Sequence, residues 1–94
     1  MENISSDELK NEIKELILDT LKITDVKPED IENDAPLFGE GNRIGLYSID
    51  SIEIIMALQR KYQVRIDDQN MARFVLQSID SIAEFIIKEK EKQD

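Results

Sequence analysis

Ser48 and Ser51 are the residues of this chain whose setting suits chemistry. They stand in Gly45-Leu46-Tyr47-Ser48-Ile49-Asp50-Ser51-Ile52-Glu53-Ile54-Ile55-Met56-Ala57-Leu58, where a glycine-containing loop runs into an amphipathic helix. Asp50 and Glu53 add two carboxylates to the first turns of that helix. The chain contains no His and no Cys, so neither serine has an imidazole beside it and the chain has no thiol of its own. A serine without a base is a weak nucleophile, which excludes a hydrolase and any other enzyme built on these hydroxyls. The same hydroxyl at a helix N-terminus is a good mount for a phosphate ester. Unpaired backbone N–H groups and the positive end of the helix dipole both favour an anion there. The plainer role for Ser48 is a helix cap, and the two roles are compatible.

The elements that must position these residues are helical. Ser5 with Glu8 makes a capping-box pattern, and Ile4 with Leu9 has the spacing of a hydrophobic staple. Leu9, Ile13, Leu16, Ile17 and Leu21 recur at three and four, which predicts a first helix reaching about Lys22. From Ile23 to Tyr47 the pattern dissolves into a long loop that holds both prolines and all three glycines. Val26, Ile31, Ala35, Leu37 and Phe38 are spaced to pin this loop, and Pro28-Glu29-Asp30-Ile31 predicts a short turn. Phe38-Gly39-Glu40-Gly41 lacks the Gly-Lys-Ser/Thr ending of a phosphate-binding loop and reads as a plain turn.

A second helix is expected from about Ser48 to Tyr62. Ile49, Ile52, Ile55, Met56, Gln59 and Tyr62 form its main stripe, broadened by Ile54 and Leu58. So wide an apolar arc means packing on more than one side, or an exposed apolar strip kept for a partner. Val64-Arg65-Ile66 is a short extended link. Asp67 is expected to cap a short helix through about Phe74 that turns Met71 and Phe74 inward. Ser78 caps a last helix with Ile79, Ile82, Ala83 and Ile86 as its stripe and Phe85 beside it. The expected fold is therefore all-α: a four-helix bundle of three longer helices and one short one, with a long loop between the first two. Residues 1–94 make a single domain, with its core over about 5–87 and a fully solvated, frayed tail over 88–94.

Composition narrows the functions. Twenty-one acids against twelve bases leave a net charge of −9, which disfavours nucleic-acid binding and suits steering toward basic partner patches. No apolar run approaches the roughly 20 residues that a membrane span needs, so no membrane insertion is expected. The acidic start Met1-Glu2-Asn3-Ile4-Ser5-Ser6-Asp7 does not resemble a signal peptide, so the expected setting is cytoplasmic. No Asp-rich twelve-residue calcium loop is present, and no metal site is expected. Cys-free composition rules out a disulfide framework.

Taken in order along the chain, these features resemble the acyl carrier proteins. The likeness runs from about Glu8 to Ile87 and is most specific in Gly-Leu-Tyr-Ser-Ile-Asp-Ser-Ile-Glu-Ile-Ile-Met-Ala-Leu, residues 45–58. Ala35-Pro36-Leu37-Phe38, Tyr62-Gln63-Val64-Arg65-Ile66 and Ser78-Ile79 also resemble the family. The resemblance implies a four-helix carrier that holds acyl groups as thioesters on a covalent 4′-phosphopantetheine arm. Two serines compete for that arm, since Asp50-Ser51-Ile52 also looks like the family's Asp-Ser-Leu. Counted from Ser48, Ile49, Ile52, Ile54, Ile55, Met56 and Leu58 fall where the family has apolar residues, and Asp50 and Glu53 where it has acids. Counted from Ser51, Met56 falls where an acid belongs and Lys61 where a core leucine belongs. Ser48 is therefore the expected attachment residue and Ser51 the lesser candidate.

By the same resemblance, Asp50, Glu53, Ile49 and Met56 are expected to meet partner proteins. Those partners are a phosphopantetheinyl transferase and ketosynthase, acyltransferase or acyl-activating enzymes of fatty acid, polyketide or related biosynthesis, and the carrier itself is expected to be a monomer. Charge at Asp50 and Glu53 also complements the helix dipole, and Arg60 and Lys61 do so at the other end. Ile49, Ile54, Leu58 and the last helix either open into an acyl pocket or form an ordinary small core, and the same residues serve both. Tyr47 stands where the family usually has Asp, which implies a tolerant or dedicated transferase. The rival expectation is an unmodified acidic helical domain that binds partners and carries nothing.

Overall fold

The computed structural model of the protein describes residues 6–37 and 50–92. Within them the chain forms helix α1 over Ser6–Thr20, α2 over Asp50–Tyr62, α3 over Gln69–Val75 and α4 over Ile79–Lys92. A 3₁₀ turn over Pro28–Asp30 interrupts the first connection, and no strand occurs among the described residues. The all-α expectation holds.

Helix α1 arises from its four-residue apolar repeat. Leu9, Ile13, Ile17 and Leu18 are buried, and Asp7 and Glu8 in the first turn suit the dipole. Ile4 and Ser5, the staple and capping-box residues of the sequence pattern, lie outside the described residues. The helix stops two residues earlier than the sequence pattern suggests. Lys22 takes φ 56°, and the Ile23 N–H donates to the Leu18 carbonyl at 2.8 Å. A residue at positive φ cannot continue a right-handed helix, so the chain turns out there.

The connection after α1 is pinned as expected. Ile31, Ala35 and Leu37 are buried and Val26 is partly so, while Phe38 and the 39–41 turn lie outside the described residues. Proline pre-sets the Pro28 turn, and the Lys27 N–H donates to Asp30 Oδ2 at 3.1 Å. Two backbone bonds tie the loop to the junction of α3 and α4. The Leu37 N–H donates to Gln77 O at 3.0 Å, and the Asp80 N–H to Asn33 O at 2.9 Å.

Helix α2 buries a different face from the expected one. Ile54, Leu58 and Tyr62 point inward, Ile55 is half-buried, and Ile52 and Met56 are exposed. With aliphatic side chains at most positions of the helix, periodicity offers two overlapping stripes, and packing against α1 selects the one at 54, 58 and 62. Gln59, assigned to the inward stripe, is half-buried and accepts the Ile66 N–H at 2.9 Å. That bond holds the extended link Val64–Ile66, whose valine and isoleucine are both buried, against α2.

Helix α3 starts one residue later than expected. Asp68, not Asp67, is its N-cap and accepts from the Asn70 N–H at 3.2 Å. Phe74 lies 67% exposed instead of inward, because the face turned to the core runs through Met71, Ala72, Val75 and Leu76. Met71 is partly buried against the core as expected. Ser78 and Ser81 cap α4 reciprocally: the Ser81 N–H donates to Ser78 Oγ at 3.2 Å and the Ser78 N–H to Ser81 Oγ at 3.0 Å. Ile79, Ile82, Ala83 and Ile86 are buried, and Phe85 packs beside them. This helix continues through Lys92, so residues 88–92 are not a solvated coil; Glu89 and Lys90 are half-buried, and Lys92 Nζ lies 3.3 Å from Glu89 Oε2.

The core is aliphatic except for Tyr62, and no polar residue among those described is buried. Helix α1 packs against both α2 and α4, while α3 packs against α4. Lys10 Nζ lies 2.9 Å from Asp80 Oδ1 and joins α1 to α4. Its bond to the Asp80 carboxylate holds the Lys10 ammonium above its ordinary pKa.

Candidate functional site

Ser48, Tyr47 and Ile49 lie outside the described residues. The site is therefore built from the residues of α2 just after them and from the elements that face that helix. Asp50 and Ser51 are half-buried, Glu53 is exposed, and Ile54 is buried. Next along the helix, Ile52 is 61% and Met56 54% exposed. Of the residues expected to meet partners, Glu53 and Met56 thus share the open side of α2, and Asp50 sits partly sheltered at its described start.

A cleft of about 850 Å³ opens beside this helix. Ile52 and Ile55 of α2 line one side, Ala72, Arg73 and Leu76 the other, and Asp34 and Pro36 of the pinned loop close part of the rim. Ser51, Gln77 and Ser78 contribute hydroxyl and amide groups. Helix α3 packs on α4, and the cleft lies between this pair and α2. Ile54 and Leu58 are in the closed core at 1% exposure each, which matches the ordinary-core alternative. The open apolar space is on the adjoining face, at Ile52 and Ile55.

Sequence reasoning missed Arg73, Ala72 and Leu76 as neighbours of α2. Their signal is the spacing of 72, 73 and 76, which puts them on one side of α3 and its C-cap. Ser51 enters the cleft lining from inside the described helix.

Among the described residues, no group of three or more acidic, His or Cys side chains is arranged to hold a metal ion. No described helix is long and apolar enough to cross a membrane. Chemically, the cleft joins an apolar floor to hydrogen-bonding groups and one guanidinium.

The described residues thus build an all-helical bundle with a cleft of mixed lining beside α2. The sequence model of the family described as phosphopantetheine attachment site matches residues 11–86. Acyl carrier proteins from three strains (Tuc7, 5A and APS) of Buchnera aphidicola subsp. Acyrthosiphon pisum are similar to it. Each is 34% identical over 76 residues, covering 79% of this chain and 88% of the relative. The chain belongs to the phosphopantetheine attachment-site family. It is an acyl carrier that bears phosphopantetheine and not an enzyme. The rival reading of an unmodified interaction domain is not favoured by these matches. The cleft's mixed lining fits the prosthetic group, which supplies the thiol that a chain without cysteine lacks.

Proposed function

We propose that Ser48 carries the 4′-phosphopantetheine through a phosphodiester and that the arm's thiol holds acyl intermediates as thioesters. The single observation that best supports this is the family match over residues 11–86, a range that contains Ser48, which precedes the described start of α2 by two residues. A phosphate at a helix N-terminus is favoured by the dipole and by unpaired N–H groups. The tethered thioester reaches partner enzymes at a raised effective concentration, which is the carrier's contribution to rate.

The partners in this proposal are a phosphopantetheinyl transferase that tolerates Tyr47, and ketosynthase, acyltransferase or acyl-activating enzymes of fatty acid, polyketide or related biosynthesis. Glu53 and Met56 on the open face of α2, with Asp50 and Ile49 near its start, are their contact residues. The chain acts as a monomer, and the cytoplasmic setting expected from its sequence belongs to the same proposal. In the acyl form, the cleft at Ile52, Ile55 and Leu76 shelters the apolar end of the cargo.

The test is intact mass after incubation with coenzyme A and a broad-range transferase. One added phosphopantetheine on the wild-type chain and on Ser51→Ala, with none on Ser48→Ala, is the expected result. Addition that persists in Ser48→Ala and vanishes in Ser51→Ala overturns the assignment.

A further inference from the structure

We infer that the exposed stripe Ile52, Glu53, Met56 and Arg60 of α2 selects enzymes of mixed charge. The matching entrance holds a base opposite Glu53, an acid opposite Arg60, and an apolar depression between them for Ile52 and Met56. The inference rests on the carrier function and names the chemistry of the surface that the carrier visits.

Helix geometry brings the four residues together. Glu53 and Arg60 are seven positions apart, so they point within about 20° of each other and lie about 10 Å apart along the axis. Met56 falls between them, and Ile52 lies one turn before Met56 on the same open side. Ile52 and Met56 are two of the three large apolar side chains exposed among the described residues. Both charged residues are exposed, and neither makes an ion pair among the described residues.

The neighbouring base is used differently. Lys61 Nζ lies 4.0 Å from Glu12 Oε1 and sits 5.7 Å from the centre of the Tyr62 ring. Lys61 is thus drawn toward α1, and Arg60 is the base that α2 presents outward. The helix dipole explains why an acid stands early and a base late. It does not explain why both share a stripe with two exposed apolar residues.

A chain of net charge −9 attracts basic surfaces at long range. At contact, Arg60 opposes an entrance that is basic throughout and rewards one with an acid at that place. Discrimination by a repulsive element is a standard source of specificity between related partners, and it is exerted largely through charge complementarity.

The experiment compares two carrier-dependent ketosynthases of known structure, one with a uniformly basic entrance and one with a base and an acid flanking an apolar depression. Acetyl-loaded holo protein is the substrate, in wild-type, Arg60→Gln and Arg60→Glu forms whose helicity is matched by circular dichroism. Arg60→Glu is expected to raise KM with the mixed enzyme roughly two- to fivefold and to lower it by about as much with the basic one, with kcat unchanged. Arg60→Gln falls between, and changing the mixed enzyme's acid to Lys restores the KM of Arg60→Glu. A KM that does not move in either enzyme, or that moves in the same direction in both, overturns the inference. Wild-type protein that takes no phosphopantetheine fails the carrier function first and this inference with it; normal loading with unmoved KM values removes only the docking claim.

Discussion

The Tyr62 hydroxyl donates to Glu12 Oε1 at 3.1 Å, joining the last residue of α2 to the middle of α1 across fifty positions of sequence. Burial, and then this bond, raise the Tyr62 pKa far above its ordinary 10.0. A group whose pKa is higher in the folded state contributes stability below its unfolded value and loses it as pH rises beyond that value. Lys10, raised from its ordinary 10.5 by Asp80, acts in the same direction. Stability should therefore hold near neutrality and fall once pH passes about 10. Tyr62→Phe should cost about 1 kcal/mol at pH 7 and flatten the alkaline fall. Thermal melts from neutral to alkaline pH check this, and parallel curves for the two proteins contradict it.

The two sides of α2 should respond oppositely to truncation. Ile54→Ala and Leu58→Ala remove core side chains and should each cost about 2–5 kcal/mol. Ile52→Ser and Met56→Ser act on the open side and should change stability by less than about 0.5 kcal/mol. Urea unfolding separates the pairs. A large loss at Met56 would mean that it is covered in solution.

Backbone conformation at the end of α1 makes a third prediction. Lys22 adopts φ 56°, where a side chain crowds the following carbonyl. Lys22→Gly should be neutral or stabilise by up to about 1 kcal/mol, and Lys22→Val should destabilise by about as much, since a β-branched residue tolerates this region worst. Chemical denaturation of the two variants gives the sign directly.

Self-repulsion of a net charge of −9 should be visible as a salt effect. Raising ionic strength to about 0.15 M shortens the Debye length to about 8 Å and should raise the melting temperature. A melting temperature that does not respond would show that the acids are already balanced locally.

Much of the fold was legible because the strongest sequence patterns coincide with the core. Leu9, Ile13 and Ile17, then Ile79, Ile82 and Ile86, form clean single stripes, and all are buried. The Ser78 cap and the pinned loop residues Ile31 and Leu37 were readable for the same reason: each satisfies one local demand. Reading failed where several residues satisfied the same demand. In α2 the aliphatic residues crowd almost every direction, so only contact with α1 separates Ile54 and Leu58 from Ile52 and Met56. In α3 adjacent aspartates offered two caps, and Phe74, Val75 and Leu76 in a row offered two faces, of which packing buries the one with Val75 and Leu76.

At the site, the motif from Gly45 to Leu58 pointed to the family without any knowledge of the packing, because order and spacing along one helix are a sequence property. The cleft was not legible. It depends on how α3 sits relative to α2, and so on contacts between segments distant in sequence, such as α3 packing on α4 and the loop bound to the α3–α4 junction by the Leu37–Gln77 and Asn33–Asp80 backbone bonds. Arg73 joins Ile52 in lining the cleft only through that arrangement.

Site-resolved tandem mass spectrometry of the protein recovered from its native cell tests the attachment residue most directly. The fragment ions are expected to place one phosphopantetheine on Ser48 and leave Ser51 unmodified. A native chain with Ser48 bare, whether the group sits on Ser51 or is missing altogether, would contradict it.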